Sequence, residues 1–175
     1  DFVKYRRLPD ARAASQSARV RSLARGENVP CPRGQQGRIG QVEGALKVSL
    51  TIERFAVWLD EYGDASRSNN PAASAALFTD DARYYESPFD EPLVGRDAIH
   101  RYWAQGATTL TDKESSYEIL AVVGSRGIAN WRSSFTRVTT GTRSTLDCLF
   151  VADFDDSGRC REFREWWHLR HEPAE

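Results

Sequence analysis

The chain has 175 residues, 40% of them hydrophobic, 28% charged and 11% aromatic, with a formal net charge of -1. Its length suits one domain, and its apolar content excludes a wholly disordered protein. No run approaches the ~18 consecutive apolar residues of a membrane span, and so balanced a charge argues against a dedicated nucleic-acid binder.

That balance averages two unlike pieces. Residues 1–48 hold ten Lys or Arg against four Asp or Glu, a net of +6, whereas residues 49–175 carry a net of -7. Of the 19 aromatic residues, 17 lie at or beyond Phe55. A segment poor in aromatics and rich in Arg, Gly, Pro and Gln cannot bury enough surface to offset its ordering entropy. Residues 1–48 therefore read as a disordered basic extension and residues 49–175 as the domain. The extension is open to three readings. It is a basic arm for an acidic partner, an Arg-rich targeting peptide without the apolar region of a secretory signal, or a segment without function. Val48 stands immediately before the first good helical pattern. A Val codon can start translation in bacteria, so the functional protein is expected to begin near Val48.

The domain opens with a helix expected over 51–66. Thr51 can cap it, Glu53 suits its first turn, and Ile52, Phe55, Ala56, Leu59 and Tyr62 recur at helical spacing. Asn70-Pro71 starts a short Ala-rich helix ending near Phe78. Thr79-Asp80-Asp81 reads as a turn, residues 82–86 as a strand, and 87–94 as a Pro-containing loop or short hairpin. Gly95-Arg96-Asp97 opens a third helix with Ile99, Tyr102 and Trp103 on one face, and Gly106 can end it. Strands are expected over 116–123, 128–138, 144–155 and 160–168, with glycine- and threonine-bearing turns between them. Three helices followed by an antiparallel meander is an α+β pattern.

Strand alternation sorts the side chains. Leu146, Cys148, Phe150, Ala152 and Phe154 form one apolar face, with Asp147 and Asp153 opposite. Trp131 and Phe135 alternate with Asn130, Arg132 and Ser134. In the last strand Phe163, Glu165 and Trp167 share one face, and Glu162, Arg164, Trp166 and His168 the other. A curved sheet with one aromatic-rich face, closed by helices, makes a cone with an apolar pocket. Cys148 and Cys160 flank the Asp155–Gly158 turn. Hairpin pairing would set Cys148 near Trp166, so a disulfide between the two is not expected and a reducing, cytoplasmic compartment fits. The three His and three Cys show no metal-ligand spacing. There is no phosphate-binding glycine loop in strand-to-helix context and no Gly-x-Ser-x-Gly elbow.

The stretch from Tyr62 through Ala75-Ala76-Leu77-Phe78-Thr79-Asp80-Asp81-Ala82-Arg83-Tyr84-Tyr85-Glu86-Ser87-Pro88 resembles the nuclear transport factor 2-like superfamily. So do Pro92-Leu93-Val94-Gly95-Arg96-Asp97-Ala98-Ile99 and the ending Phe154-Asp155-Asp156-Ser157-Gly158 with Glu165-Trp166-Trp167. The likeness covers residues 50–170 and is closest to the SnoaL-like group. It implies a cone-shaped, curved antiparallel sheet packed against three N-terminal helices, and a homodimer formed through the outer face of the sheet. The superfamily includes ketosteroid isomerases, polyketide cyclases, epoxide hydrolases and dehydratases, beside many non-catalytic modules, so fold leaves function open.

The ketosteroid isomerase pattern can be carried over position by position. Tyr62 matches the tyrosine that donates to the developing oxyanion. Glu86-Ser87-Pro88 matches the segment with the general base, with one extra residue. The second oxyanion donor falls at Phe150, which cannot donate, so the donor pair is incomplete and argues against ketosteroid isomerisation. A pocket tryptophan corresponds to Trp167.

Glu165 is the leading candidate for chemistry. A carboxylate between Phe163 and Trp167 on an apolar concave face has its pKa raised by desolvation, as a general acid or base near neutral pH requires. The competing reading pairs Glu165 with an Arg such as Arg137 or with a buried hydroxyl. Glu86 is the second carboxylate, with a rim position as its alternative. Tyr62 could orient a carbonyl or water, or sit in the core with its hydroxyl satisfied. Trp131, Phe135, Phe150, Phe163 and Trp167 would wall the pocket, or simply fill it. His168, His100 and Asp147 are expected to face outward. The expected function is binding of a small hydrophobic or polycyclic molecule, with cofactor-free and metal-free acid–base conversion resting on Glu165, Tyr62 and Glu86. The alternative is a non-catalytic ligand-binding or protein-association module.

Overall fold

A computed structural model describes residues 49–172. Cys31 and the reading of 1–48 as an extension lie outside the described residues.

Helix α1 (Ile52–Arg67) starts where Thr51 accepts a hydrogen bond from the Arg54 N–H at 3.2 Å. Its buried stripe is Phe55, Trp58, Leu59, Tyr62, Gly63 and Ala65. Ile52, expected on that stripe, is 59% exposed, because a first-turn side chain points back beyond the helix start. Trp58 takes the central place instead. Its ring meets Phe55, Phe78, Phe154 and Phe163, and its indole N–H donates to the Leu77 carbonyl at 3.2 Å. Asn70 caps α2 (Pro71–Ala76) by accepting from the Ala73 N–H.

Strand β1 (Phe78–Tyr85) follows α2 without the expected turn. The Thr79-Asp80-Asp81 signal marks an irregularity inside the strand. Phe78 pairs with Cys160 and Arg83 already with Glu162, so extra residues of β1 are looped out of register. Bulges of this kind take polar residues that a continuous ladder would bury. Strand β2 (Leu93–Val94) pairs antiparallel with β1. Helix α3 (Arg96–Thr109) opens at Gly95, whose φ of 85° suits glycine. It runs past Gly106 and passes directly into β3 (Leu110–Val123). Gly106 does not end α3 because helical geometry tolerates glycine at a modest cost when packing sustains the element.

Strands β3, β4 (Arg126–Arg137), β5 (Arg143–Phe154) and β6 (Cys160–His171) form the expected meander. The sheet order is β2-β1-β6-β5-β4-β3. The sheet is not antiparallel throughout, as the sequence suggested, because β1 runs parallel to β6. That pairing sets Tyr84 beside Phe163. Cys148 lies opposite Trp167, one residue from the expected partner, and Cys148 and Cys160 are both buried free thiols.

The concave face of β4, β5 and β6 packs on α1 to build one core that includes Phe55, Trp58, Tyr62, Trp131, Phe150, Phe154 and Phe163. The outer face is polar at Asn130, Arg132 and Asp147. Asp147 accepts from Asn130 at 2.6 Å and from Arg132 at 3.0 Å. No helix among the described residues is long and apolar enough to cross a membrane.

Gly127 on β4 lies directly against Phe55 of α1. A Cβ there would lie 2.6 Å from the Phe55 ring, which is fully buried. Gly127→Ala is expected to destabilise the domain by about 1–3 kcal/mol through overpacking. A shift in the urea midpoint with unchanged helical circular dichroism checks this.

Candidate functional site

The centre of the site is Glu165 on β6. Alternation puts it on the concave face between Phe163 and Trp167, and register puts it directly opposite Phe150 of β5. Only 8% of its surface is exposed. The Tyr84 hydroxyl donates to Glu165 Oε1 at 3.2 Å, and the Tyr62 and Tyr84 hydroxyls lie 3.4 Å apart. A line of two phenols from α1 and β1 thus ends on one carboxyl from β6. Burial first, and the nearby charge of Glu86 second, push the Glu165 carboxyl up to about 8, against the opposing pull of the Tyr84 bond. At neutral pH this group is largely a neutral carboxylic acid.

Glu86 stands just past the end of β1, half-buried, and accepts a hydrogen bond from the Tyr102 hydroxyl of α3 at 3.1 Å. Burial raises its pKa and the charge of Asp90 adds to this, while the Tyr102 bond works against both. Tyr62, Tyr84 and Tyr102 are held well above the usual phenol range, by burial and then by the charge of Glu165. They remain O–H donors at any working pH.

The aromatic residues divide into floor and rim. Phe150 and Phe163 are 1% and 0% exposed and form a packed floor. Phe150 stacks on Trp131 at 5.4 Å, and Phe163 leans on Tyr84 at 4.9 Å. Trp131 is also buried, with its ring edge-on to Tyr62 at 5.2 Å. Phe135 is buried on β4 opposite Ser144, and Trp167 is half-buried beside Glu165. The pocket is therefore walled less openly than the sequence suggested. A groove of about 380 Å³ runs between α1 and α2, lined by Glu61, Asp64, Ala65, Ser68, Ala73, Ala76 and Leu77. It includes neither Glu86 nor Glu165.

Sequence reasoning brought together Glu165, Tyr62 and Glu86, and the structure gathers them through two residues it had left out. Tyr84 bridges Tyr62 to Glu165, and Tyr102 holds Glu86. Tyr84 stands two residues before Glu86 in the strand expected over 82–86, and that spacing is the signal the sequence carries. Trp103 is the other addition. Its ring meets Tyr62 edge-on at 5.2 Å, and its buried indole N–H has no acceptor among the described residues. His100 on α3 is exposed as expected, and His168 is exposed and Asp147 faces outward in accord with strand alternation. No group of His, Cys, Asp and Glu among the described residues could hold a metal ion.

The Glu165 proton links pH to stability. Its folded pKa lies above the unfolded value near 4.5, so its contribution is complete below about pH 4.5 and is lost as pH rises toward about 8. Glu165→Gln is expected to abolish that loss. Urea midpoints should show the variant gaining on the wild type between pH 5 and 8, with no further gain above it.

Comparison with known proteins agrees with this architecture. The SnoaL-like domain family matches residues 59–163. The steroid Delta-isomerase of Nocardioides simplex is 34% identical over 110 residues, which span 61% of this chain and 83% of that protein. A candidate isomerase from Bacillus subtilis superimposes with a TM-score of 0.59 at 17% identity, covering 66% of this chain and 87% of the other. The epoxide hydrolase/cyclase-like enzyme SalBIII, of pyran ring formation in the polyether salinomycin, superimposes with a TM-score of 0.58 at 18% identity, covering 67% and 94%. By the extent of the family match and the likeness to the isomerase, the chain belongs to the SnoaL-like domain family of the nuclear transport factor 2-like superfamily.

Proposed function

We propose that the domain is an acid–base enzyme that isomerises or otherwise rearranges a small hydrophobic or polycyclic molecule bearing a carbonyl or epoxide oxygen. The observation that carries this reading is the neutral Glu165 acid joined to Tyr84 and Tyr62, with the second carboxyl of Glu86 close enough to raise its pKa. Two carboxyl groups in unlike environments are what separate acid and base roles require. Glu86, the more solvated, removes a proton from carbon. Glu165 and the tyrosine hydroxyls hold the oxygen on which negative charge develops. Phe150 cannot supply an acid, but Glu165 lies opposite it across the strand pair and offers one from the next strand. The buried Trp103 N–H is a further donor that a ligand oxygen would satisfy.

A second reading, a non-catalytic ligand-binding or association module, is favoured by how little of Glu165, Tyr62 and Tyr84 is exposed. A thermal-shift screen with polycyclic ketones and epoxides, followed by turnover of the stabilising compounds, separates the two. In the enzyme reading Glu165→Gln and Glu86→Gln each lose about 100-fold or more in rate while ligand still stabilises them. The wild-type rate falls on an alkaline limb near pH 8, which Glu165→Gln removes. Ligand stabilisation without turnover establishes the module, and turnover unchanged in Glu165→Gln overturns the role given to Glu165.

The cytoplasmic placement rests on the two buried free thiols. The proposed homodimer rests on Leu149 and Trp166, register partners on the outer face that are 39% and 43% exposed. Side chains of this type exposed together mark association surfaces. Sedimentation is expected to show a dimer for the wild type and a folded monomer for Trp166→Arg.

A further inference from the structure

Helix α3 is anchored at its first turn. Ile99 there is the one fully buried residue of the helix, and Arg96 donates to the Phe78 carbonyl at 2.8 and 3.2 Å and pairs with Asp80 at 2.9 Å. The second half depends on contacts rather than propensity. Gly106 costs helix stability, and a Cβ there would meet nothing within 4 Å, so packing does not call for glycine. Thr108 and Thr109 turn their hydroxyls back on the Gln105 carbonyl at 3.0 and 3.2 Å, bonds of a kind that weaken and bend helices. Leu110 is already extended, and β3 then breaks register between Thr111 and Glu114, where Asp112 has a φ of 50°.

Tyr102 and Trp103 begin that second half. The Tyr102 ring lies 5.6 Å from Tyr84 and the Trp103 ring 5.2 Å from Tyr62, so the pair rests on the two tyrosines that lead to Glu165. One side-chain hydrogen bond fastens the pair among the described residues, from the Tyr102 hydroxyl to half-buried Glu86 at 3.1 Å. The buried Trp103 N–H has no acceptor there, so the packed position carries an unsatisfied donor that water would satisfy. A weak helix, a single fastening and an unsatisfied donor together mark a segment of low local stability.

We propose that residues 102–109 form a cover that unfolds locally and opens the Glu165 cluster to water, and that loss of the Glu165 proton promotes the opening. Use of the opening as a route for substrate rests on the reading of Glu165 as the reacting acid; the opening itself does not. The titratable groups facing Glu165 are Tyr62 from α1, Tyr84 and Glu86 from β1 and its end, Cys148 from β5 and Tyr102 from α3. A carboxylate formed among them and the surrounding rings is poorly hydrated, and lifting the cover hydrates it. The closed-state pKa of about 8 lies above that of a hydrated carboxyl near 4.5, so the bias toward opening grows as pH rises toward 8 and levels off beyond it.

Native-state hydrogen exchange on the ligand-free full chain, corrected for intrinsic rates, tests this. At pH 6 the amides of residues 103–109 are expected to exchange about tenfold or more faster than those of residues 58–62 in α1, at rates unmoved by low urea, as local rather than global opening requires. Between pH 6 and 8 their protection should fall about tenfold or more, and in Glu165→Gln it should stay level. Gly106→Ala, a change the fold has room for, should raise their protection about fivefold. Protection or urea dependence equal to that of α1 overturns the cover, as does unchanged protection in Gly106→Ala. Protection level with pH in the wild type, or falling equally in Glu165→Gln, overturns the coupling to Glu165 and with it the proposal. This exchange pattern in a domain without turnover strikes the activity proposed above and leaves the cover standing.

Discussion

One carboxyl group held out of water organises the centre of this domain. Glu165 cannot keep a full charge beside Phe163 and opposite Phe150 without heavy desolvation cost, so it keeps its proton instead. The surroundings are arranged around that fact. The parallel pairing of β1 with β6 brings Tyr84 within hydrogen-bond reach, and α1 adds Tyr62 behind it. Neither contact is local. Each joins residues from different elements, and each depends on the looped-out register of β1 that sets Tyr84 beside Phe163.

The aromatic floor has an electrical role as well as a packing one. Trp131, Phe150 and Phe163 replace polarisable water with rings, which strengthens every interaction between the charges and dipoles that remain. Glu86, at the half-buried edge, therefore influences Glu165, and the two carboxyl groups are driven apart in character by burial. The same packing narrows access. A fold shared by isomerases, cyclases and binding modules can go either way on that balance.

Much of this was legible in the residues. The caps at Thr51 and Asn70, the turn at Asp155–Gly158 and the alternation through β4, β5 and β6 are local signals, and each emerged where expected. Alternation alone set Glu165 and Trp167 inward and Asp147 and His168 outward. The misreadings have specific causes. Thr79-Asp80-Asp81 has the composition of a turn, but in β1 these residues lie in the stretch where the register with β6 shifts. Gly106 has the composition of a helix stop, but α3 is held by its contacts rather than its propensity. Helical spacing permits two neighbouring stripes on α1, and packing of Trp58 on Phe78, Phe154 and Phe163 decides between them.

The sequence by itself determined the α+β class, the order of elements after residue 49, and the side of the sheet on which each chemically able residue stands. Those follow from periodicity and capping, which act over a few residues. Only the tertiary structure decided that β1 lies parallel to β6, that Tyr84 and Tyr102 complete the two carboxyl sites, and that Phe150 and Phe163 are floor. Such outcomes depend on distances between residues as far apart as Tyr84 and Glu165, and on how completely rings from five elements fill one interior. No local pattern encodes how much water the packed interior excludes, and that exclusion is what turns Glu165 from an ordinary carboxylate into an acid.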